Sequence, residues 1–303
     1  MAFISTGSVR FGSSHKGLFI YLVILCHQVL TAIAFPVAKL GLNQIDPLSY
    51  AFFRFVLATV VYVPVLLFLR QRKIIPFRDH IRIFIIGLIL IPVNQVVFLI
   101  GQSMTSASHS SLLFATVPIF IYILAIVFLK ERITFRRSLG IIVAAAGAYI
   151  ILAGGARKTG GESLTGDLLV LIAVVAWAAA TIMAKSMAQT YGAFRVTGLA
   201  LVYGSILYLP FGAYKVIGGY YGNVSIVGWS SVFYMGIVVS VLAYFLWYWV
   251  LKYMEASRLA VIQNIQPVIA SAVAVLTLGE TIGDTFLIGG AVALGGIILT
   301  EIR

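Results

Sequence analysis

The sequence predicts an all-α integral membrane protein of ten transmembrane helices, arranged as two inverted five-helix repeats. Three observations carry that expectation. First, 61% of the 303 residues are hydrophobic and only 10% are charged, with a mean hydropathy of +1.07; that leaves too little polar surface to cover a soluble globule. Second, the chain divides into ten apolar runs near the ~20 residues that cross a bilayer core as a helix. They lack the period-two alternation of a membrane barrel. Third, the stretch from Ala107 to Ile150 recurs at Ala256 to Leu299, 149 positions on and without a gap. Ala107 and Ser108 fall on Ala256 and Ser257, Pro118 on Pro267, Ala125 on Ala274, Leu129 on Leu278, Glu131 on Glu280, Ile133 on Ile282, and Gly140, Ala144 and Gly147 on Gly289, Ala293 and Gly296. A proline, a helix-ending glutamate and two glycines in one register mark an internal duplication.

Taken in order, residues 1–16 form a polar, positively charged tail expected in the cytoplasm. The run that follows ends in Pro36-Val37-Ala38-Lys39 without a small-x-small cleavage pattern, so it is expected to stay as the first span. The other runs cover roughly 49–69, 81–101, 107–129, 138–153, 167–188, 195–214, 229–251, 256–278 and 284–301. The glycine-rich segment 154–166 reads as a linker, which assigns 17–153 to the first repeat and 167–303 to the second. The duplication also reaches upstream with an offset of 146, placing Lys39 on Lys185 and Pro64 on Pro210. Five spans per repeat is an odd number, so the copies are expected in opposite orientations. That is the architecture of alternating-access carriers, whose site lies near the midplane between the halves.

The net charge of +12 is explained by topology rather than by nucleic acid, because the basic residues sit in short clusters between apolar runs. With the N-terminus inside, fifteen Lys and Arg residues fall on the inner side and three, Arg157, Lys158 and Lys215, on the outer. The positive-inside rule therefore predicts that both termini lie in the cytoplasm, and the expected location is a plasma membrane. The single cysteine, Cys26, excludes a disulfide framework and a Cys-rich metal site.

These features together resemble the EamA-type transporters of the drug/metabolite transporter superfamily. The resemblance rests on the order of ten helices, the Pro118 to Lys130-Glu131-Arg132 and Pro267 to Gly279-Glu280-Thr281 endings, the Lys39 and Lys185 positions and the late glycines. It runs from about residue 17 to 301 and implies a carrier of small metabolites, often amino acids. The tryptophan that such proteins often hold eight residues before the first-helix lysine is present as Trp177 but is Thr31 in the first copy.

All nine acidic residues sit in loops or at helix ends, whereas proton-coupled carriers usually keep an ionisable group within the membrane. His27 is the one deep titratable candidate. Uncharged amides instead gather at mid-span: Gln28 in the first helix, Asn94 and Gln95 after Pro92 in the third, and Gln263, Asn264 and Gln266 before Pro267 in the ninth. In hydrocarbon each amide needs a partner and is expected to face the interior. Helix gluing alone would explain one or two; three within four residues points to ligand binding. Tyr244 and Trp247 share a helix face and are expected to line the same cavity. Arg54 is expected to snorkel to the outer interface. Pro118 and Pro267 each remove a backbone donor mid-helix and are candidate hinges. Lys39 with Glu280 and Lys185 with Glu131 are candidate gates at the outer and inner ends, against the alternative that each Glu serves the dipole of a nearby helix.

The expected function is transport of a small organic molecule, an amino acid or related compound, without cofactor or metal. The partners are that substrate and the lipid bilayer; oligomeric state is left open. An intramembrane enzyme would need a nucleophile or metal constellation, but His15, His27, His80 and His109 are scattered and neither HExxH nor Gly-x-Ser-x-Gly occurs. A non-transporting receptor or assembly subunit is the remaining alternative.

Overall fold

A computed structural model describes residues 14–68, 73–131, 134–155, 164–279 and 284–301. These residues form ten helical spans: α1 (Ser14–Leu42), α2 (Pro47–Phe68), α3 (Phe77–Ser103), α4 (Ala107–Leu129), α5 (Phe135–Gly155), α6 (Leu164–Tyr191), α7 (Ala193–Ile217), α8 (Ile226–Val250), α9 (Ala256–Leu278) and α10 (Asp284–Glu301). Eight of them, α5 and α10 excepted, contain 18-residue apolar windows long enough to cross a bilayer. Large apolar side chains such as Phe68, Phe128, Phe211 and Leu276 are exposed on the outside of the bundle, as a lipid-facing belt requires.

Local chemistry fixes the helix ends. Asp46 Oδ1 accepts from the Leu48 and Ser49 amides at 3.2 and 3.1 Å and starts α2. Ser106 Oγ accepts from the His109 amide at 3.0 Å to start α4, and Ser225 Oγ from the Gly228 amide at 3.3 Å to start α8. The two copies end α4 and α9 identically. Lys130 at φ 54° and Gly279 at φ 69° are left-handed, and their amides donate to Ala125 and Ala274 carbonyls at equivalent positions. Glycine takes that conformation without strain; lysine does so at a cost of about 1 kcal/mol.

Packing repeats the duplication in space. α1 packs on α9 as α6 packs on α4, α2 on α8 as α7 on α3, while α2 meets α7 and α5 meets α10 across the two halves. Backbones touch where side chains are absent. A Cβ on Gly204 would lie 2.3 Å from the Gly87 carbonyl, and one on Gly87 2.3 Å from the Ala200 carbonyl, so α3 and α7 cross in direct contact. A Cβ on Gly296 would lie 2.6 Å from the Gly140 carbonyl and 2.5 Å from the Ala144 amide. Gly296 and Gly140 thus serve packing within one chain.

The spans that meet at the centre are irregular. α4 and α9 are not continuous helices bent at Pro118 and Pro267. α4 breaks into Ala107–Phe114 and Val117–Leu129, and α9 into Ala256–Ile262 and Gln266–Leu278 joined by one 3₁₀ turn. Each proline lies in the first turn of the second half-helix, where its missing N–H would have been unpaired in any case. α3 and α8 instead widen into π-helix over Ile89–Val96 and Tyr234–Ala243. In α3 this segment contains Pro92. In α8 the Ser240 hydroxyl donates to the Met235 carbonyl five residues back, at 2.9 Å. The sequence carried no expectation of either π segment.

Candidate functional site

The breaks and π segments surround an internal cavity of about 70 Å³, bounded by α1, α2, α3, α4, α6, α8 and α9. Of the residues singled out in the sequence, His27, Gln95, Tyr244, Gln263 and Gln266 line it. Gln28 stands just behind, fully buried, its Oε1 accepting from Gln266 Nε2 at 2.6 Å. The same Gln266 nitrogen donates to Thr31 Oγ1 at 2.7 Å. Asn94 is also buried behind the wall, donating to the Ala173 carbonyl of α6 at 2.6 Å and accepting from Gln95 Nε2. Trp247 supports rather than lines: its ring centroid lies 5.3 Å from His27 and 5.8 Å from Trp177, and its Nε1 faces Thr181 Oγ1 at 3.3 Å. The Asn264 side chain lies outside the described residues.

What distinguishes this cavity is its unsatisfied polar atoms. Both ring nitrogens of His27, Trp177 Nε1 and Gln263 Oε1 are buried on its wall without a hydrogen-bond partner, and the Tyr244 hydroxyl has only the Arg54 guanidinium beside it, without a full hydrogen bond. Folded proteins pair most such groups, because an orphan costs ~1–3 kcal/mol. Several orphans converging on one cavity define a place for something polar. Aromatic rings of Phe35, Phe98 and Phe114 supply the apolar remainder.

Arg54 corrects the expectation of a snorkelling side chain. It is fully buried, and it lines the same cavity. α2 begins at Pro47, which puts Arg54 about 10 Å along the helix rather than at its mouth. Seven helical residues before the arginine were the available signal. Trp177, Thr31 and Ser240 were likewise missed as neighbours of the site; Thr31 takes the tryptophan's place in the repeat and gives Gln266 its partner.

At one end of the bundle, expected to face the cytoplasm, Lys185 Nζ lies 2.8 Å from Glu131 Oε1, with both side chains nearly buried. Glu131 does two things at once. Its Oε1 also accepts from the Ala256 amide at 3.0 Å, and its Oε2 from Ser257 Oγ at 2.6 Å and the Ser257 amide at 3.4 Å. The carboxylate therefore holds Lys185 of α6 and caps the start of α9. At the other end Lys39 Nζ donates to the carbonyls of Gln102, Ser103 and Thr105 at 3.0, 3.2 and 2.7 Å. Glu280 lies outside the described residues.

Burial opposes the charge on Glu131, but Lys185, Ser257 and the Ala256 amide outweigh it and hold its carboxyl below the usual range. A lowered folded value means that the stabilisation is present above the unfolded carboxylate pKa, ~4.3, and is lost as pH falls through the folded value. Thermal unfolding of the detergent-solubilised protein is expected to show Tm falling below about pH 5. Glu131→Gln is expected to lower Tm at neutral pH and to flatten that acid limb; an unchanged limb would assign the pH response elsewhere.

Comparison with known proteins places the chain. A sequence model of the EamA-like transporter family matches residues 18–153 and again 164–302. The chain belongs to that family and is a secondary membrane transporter that does not use ATP, not an enzyme. Among its relatives is an uncharacterized transporter of Archaeoglobus fulgidus, 28% identical over 92% of this chain and 97% of the relative. The uncharacterized transporter YetK of Bacillus subtilis is 26% identical, over 93% and 87%. A probable terminal-alkyne amino-acid exporter of Streptantibioticus cattleyicolor is 31% identical over 91% of each chain. A solved crystal structure shares the fold, with a TM-score of 0.69 at 16% identity over 95% of this chain and 97% of the other.

Proposed function

We propose that the protein carries a small organic metabolite, an amino acid or related compound, across the plasma membrane by alternating access. The central cavity is its substrate site. The observation that carries this reading is the convergence of unpartnered polar atoms from α1, α6, α8 and α9 on one interior space. A zwitterion supplies donors and acceptors to such a wall and an apolar body to its phenylalanines. The amino-acid exporter among the relatives supports the same class. His27, Gln28, Asn94, Gln95, Tyr244, Trp247, Gln263 and Gln266 form the site and its support. Lys185 with Glu131 closes the cytoplasmic end, Lys39 with Glu280 the opposite end, and the half-helix junctions before Pro118 and Pro267 act as hinges. The weighting of basic residues toward one set of loops supports a cytoplasmic position for both termini.

Uptake of a labelled metabolite panel into proteoliposomes tests this, with and without imposed ion gradients. No carboxylate lines the cavity among the described residues, so flux is expected to persist when the proton gradient is collapsed. Strict dependence on that gradient would turn attention to His27. Absence of flux for every compound would overturn the carrier assignment of this cavity.

A further inference from the structure

The wall of the cavity holds a charge that nothing in the described protein neutralises. Arg54 is fully buried on α2, yet no carboxylate lines the cavity and no ion pair to Arg54 occurs among the described residues. A guanidinium stays protonated in proteins, and an isolated charge in an apolar interior is costly unless paired. The side chain is nonetheless held in place. Its Nε donates to Ser240 Oγ at 2.9 Å, and Ser240 spends its own proton on the Met235 carbonyl, at 2.9 Å, across the π segment of α8. The serine oxygen is therefore left as an acceptor aimed at the arginine. Phe55 lies under the guanidinium, 5.2 Å from Cζ to the ring centroid. Anchored by Nε, the arginine keeps both terminal nitrogens, Nη1 and Nη2, without a partner. The Tyr244 hydroxyl, on the same wall, lies close enough to the guanidinium to interact with it electrostatically, and neither group closes a full hydrogen bond with the other.

We infer that Arg54 is the anion-recognition residue of the central cavity: the substrate is bound through a monoanionic carboxylate, seated on the Nη1 and Nη2 fork with Tyr244 donating beside it. This rests on the reading of the cavity as the substrate site and names its chemical class. A planar fork matches a carboxylate in two parallel hydrogen bonds. One uncompensated positive charge selects one negative charge; a dianionic phosphate would leave the cavity with a buried excess. The half-helix starting at Gln266, which lines the cavity, adds the positive end of its dipole. Gln263 Oε1 and the Trp177 ring remain for the rest of the ligand, and either suits an ammonium group.

The test uses the full chain, purified in detergent, and a panel of the proteinogenic amino acids and of acetate to hexanoate, each beside its primary amide. At least one carboxylate is expected to raise Tm by roughly 5 °C at a hundredfold excess over Kd, while its amide does not. Arg54→Gln is expected to abolish that response and Arg54→Lys to restore part of it. Without ligand, Arg54→Gln is expected to unfold at or above the wild-type Tm, since it removes an unpaired buried charge; a structural arginine would show the reverse. If Arg54→Gln does not fold, Ser240→Ala keeps the charge but frees the anchor and is expected to weaken the carboxylate response about tenfold. An equal response to carboxylate and amide, no response to any carboxylate, or a response indifferent to Arg54 and Ser240 would overturn the inference. The carrier reading fails separately: carboxylate binding that depends on Arg54 without flux in proteoliposomes would leave the anion site and remove transport. Arg54-independent flux of an uncharged solute would do the opposite.

Discussion

Gln263→Leu is expected to reduce the initial rate of substrate uptake at least ~tenfold while leaving the yield of folded, monodisperse protein unchanged. Gln263 is buried on the cavity wall, and its Oε1 has no partner in the protein. Replacing it with a leucine of similar volume therefore breaks no hydrogen bond to Oε1 that the fold makes for itself; what is lost is a polar contact available to a ligand. The neighbouring Gln266 is a poorer subject, because its amide ties Gln28 and Thr31 of α1 to α9, so its loss would mix stability with recognition. Proteoliposome uptake alongside size-exclusion chromatography separates the two effects. Wild-type uptake by the Gln263 variant would move that residue to helix packing.

Gly204→Leu is expected to have the largest effect on stability. Its Cβ would sit 2.3 Å from the Gly87 carbonyl oxygen and 2.5 Å from an Ile91 side-chain carbon, distances that only a separation of α3 and α7 can relieve. α3 carries Gln95 and the π segment that shape the cavity, so a shift there reaches the site. Overpacking of this kind costs ~1–3 kcal/mol or more, and here the obstacle is backbone, which cannot adopt another rotamer. Yield of monodisperse protein should collapse. Gly218→Ala is the matched control: its Cβ would meet only the Lys215 carbonyl, at 3.9 Å, and near-normal yield is expected.

The fold was legible because membrane insertion leaves a coarse record in sequence. Apolar runs of bilayer length, loops weighted with basic residues and a 149-residue repeat each report a constraint that acts on whole segments. The interior position of the amides was legible for the same reason: hydrocarbon tolerates no exposed amide, so Gln28, Asn94, Gln95, Gln263 and Gln266 had to turn inward. Which of them face the cavity and which face a neighbouring helix depends on fractions of a turn. Asn94 and Gln95 are adjacent, and only Gln95 reaches the lining. Arg54 was misread because snorkelling is the usual solution for a charge near a helix end. Its burial follows from Ser240 on α8, 186 residues away, a contact with no trace in local sequence. The π segments were invisible for a related reason, since a widened turn is set by packing rather than by a propensity; only in α8 does a side chain, the Ser240 hydroxyl, bridge the widened turn.

The seam between α5 and α10 also bears on how such a chain could arise. Gly296 lies directly against the backbone of Gly140 and Ala144, and under the repeat these three correspond to Gly147, Gly289 and Ala293. A lone five-helix unit would present this small-residue face to lipid, and the partner of matching shape would be another copy of itself, upside down. Two such units set in opposite orientations would cover that face for each other, as α5 and α10 do within this single chain. The two copies differ at the cavity: Gln263 stands where the first copy has Phe114, and Arg54 where the second copy has Ala200, so each copy supplies a polar group that its counterpart lacks.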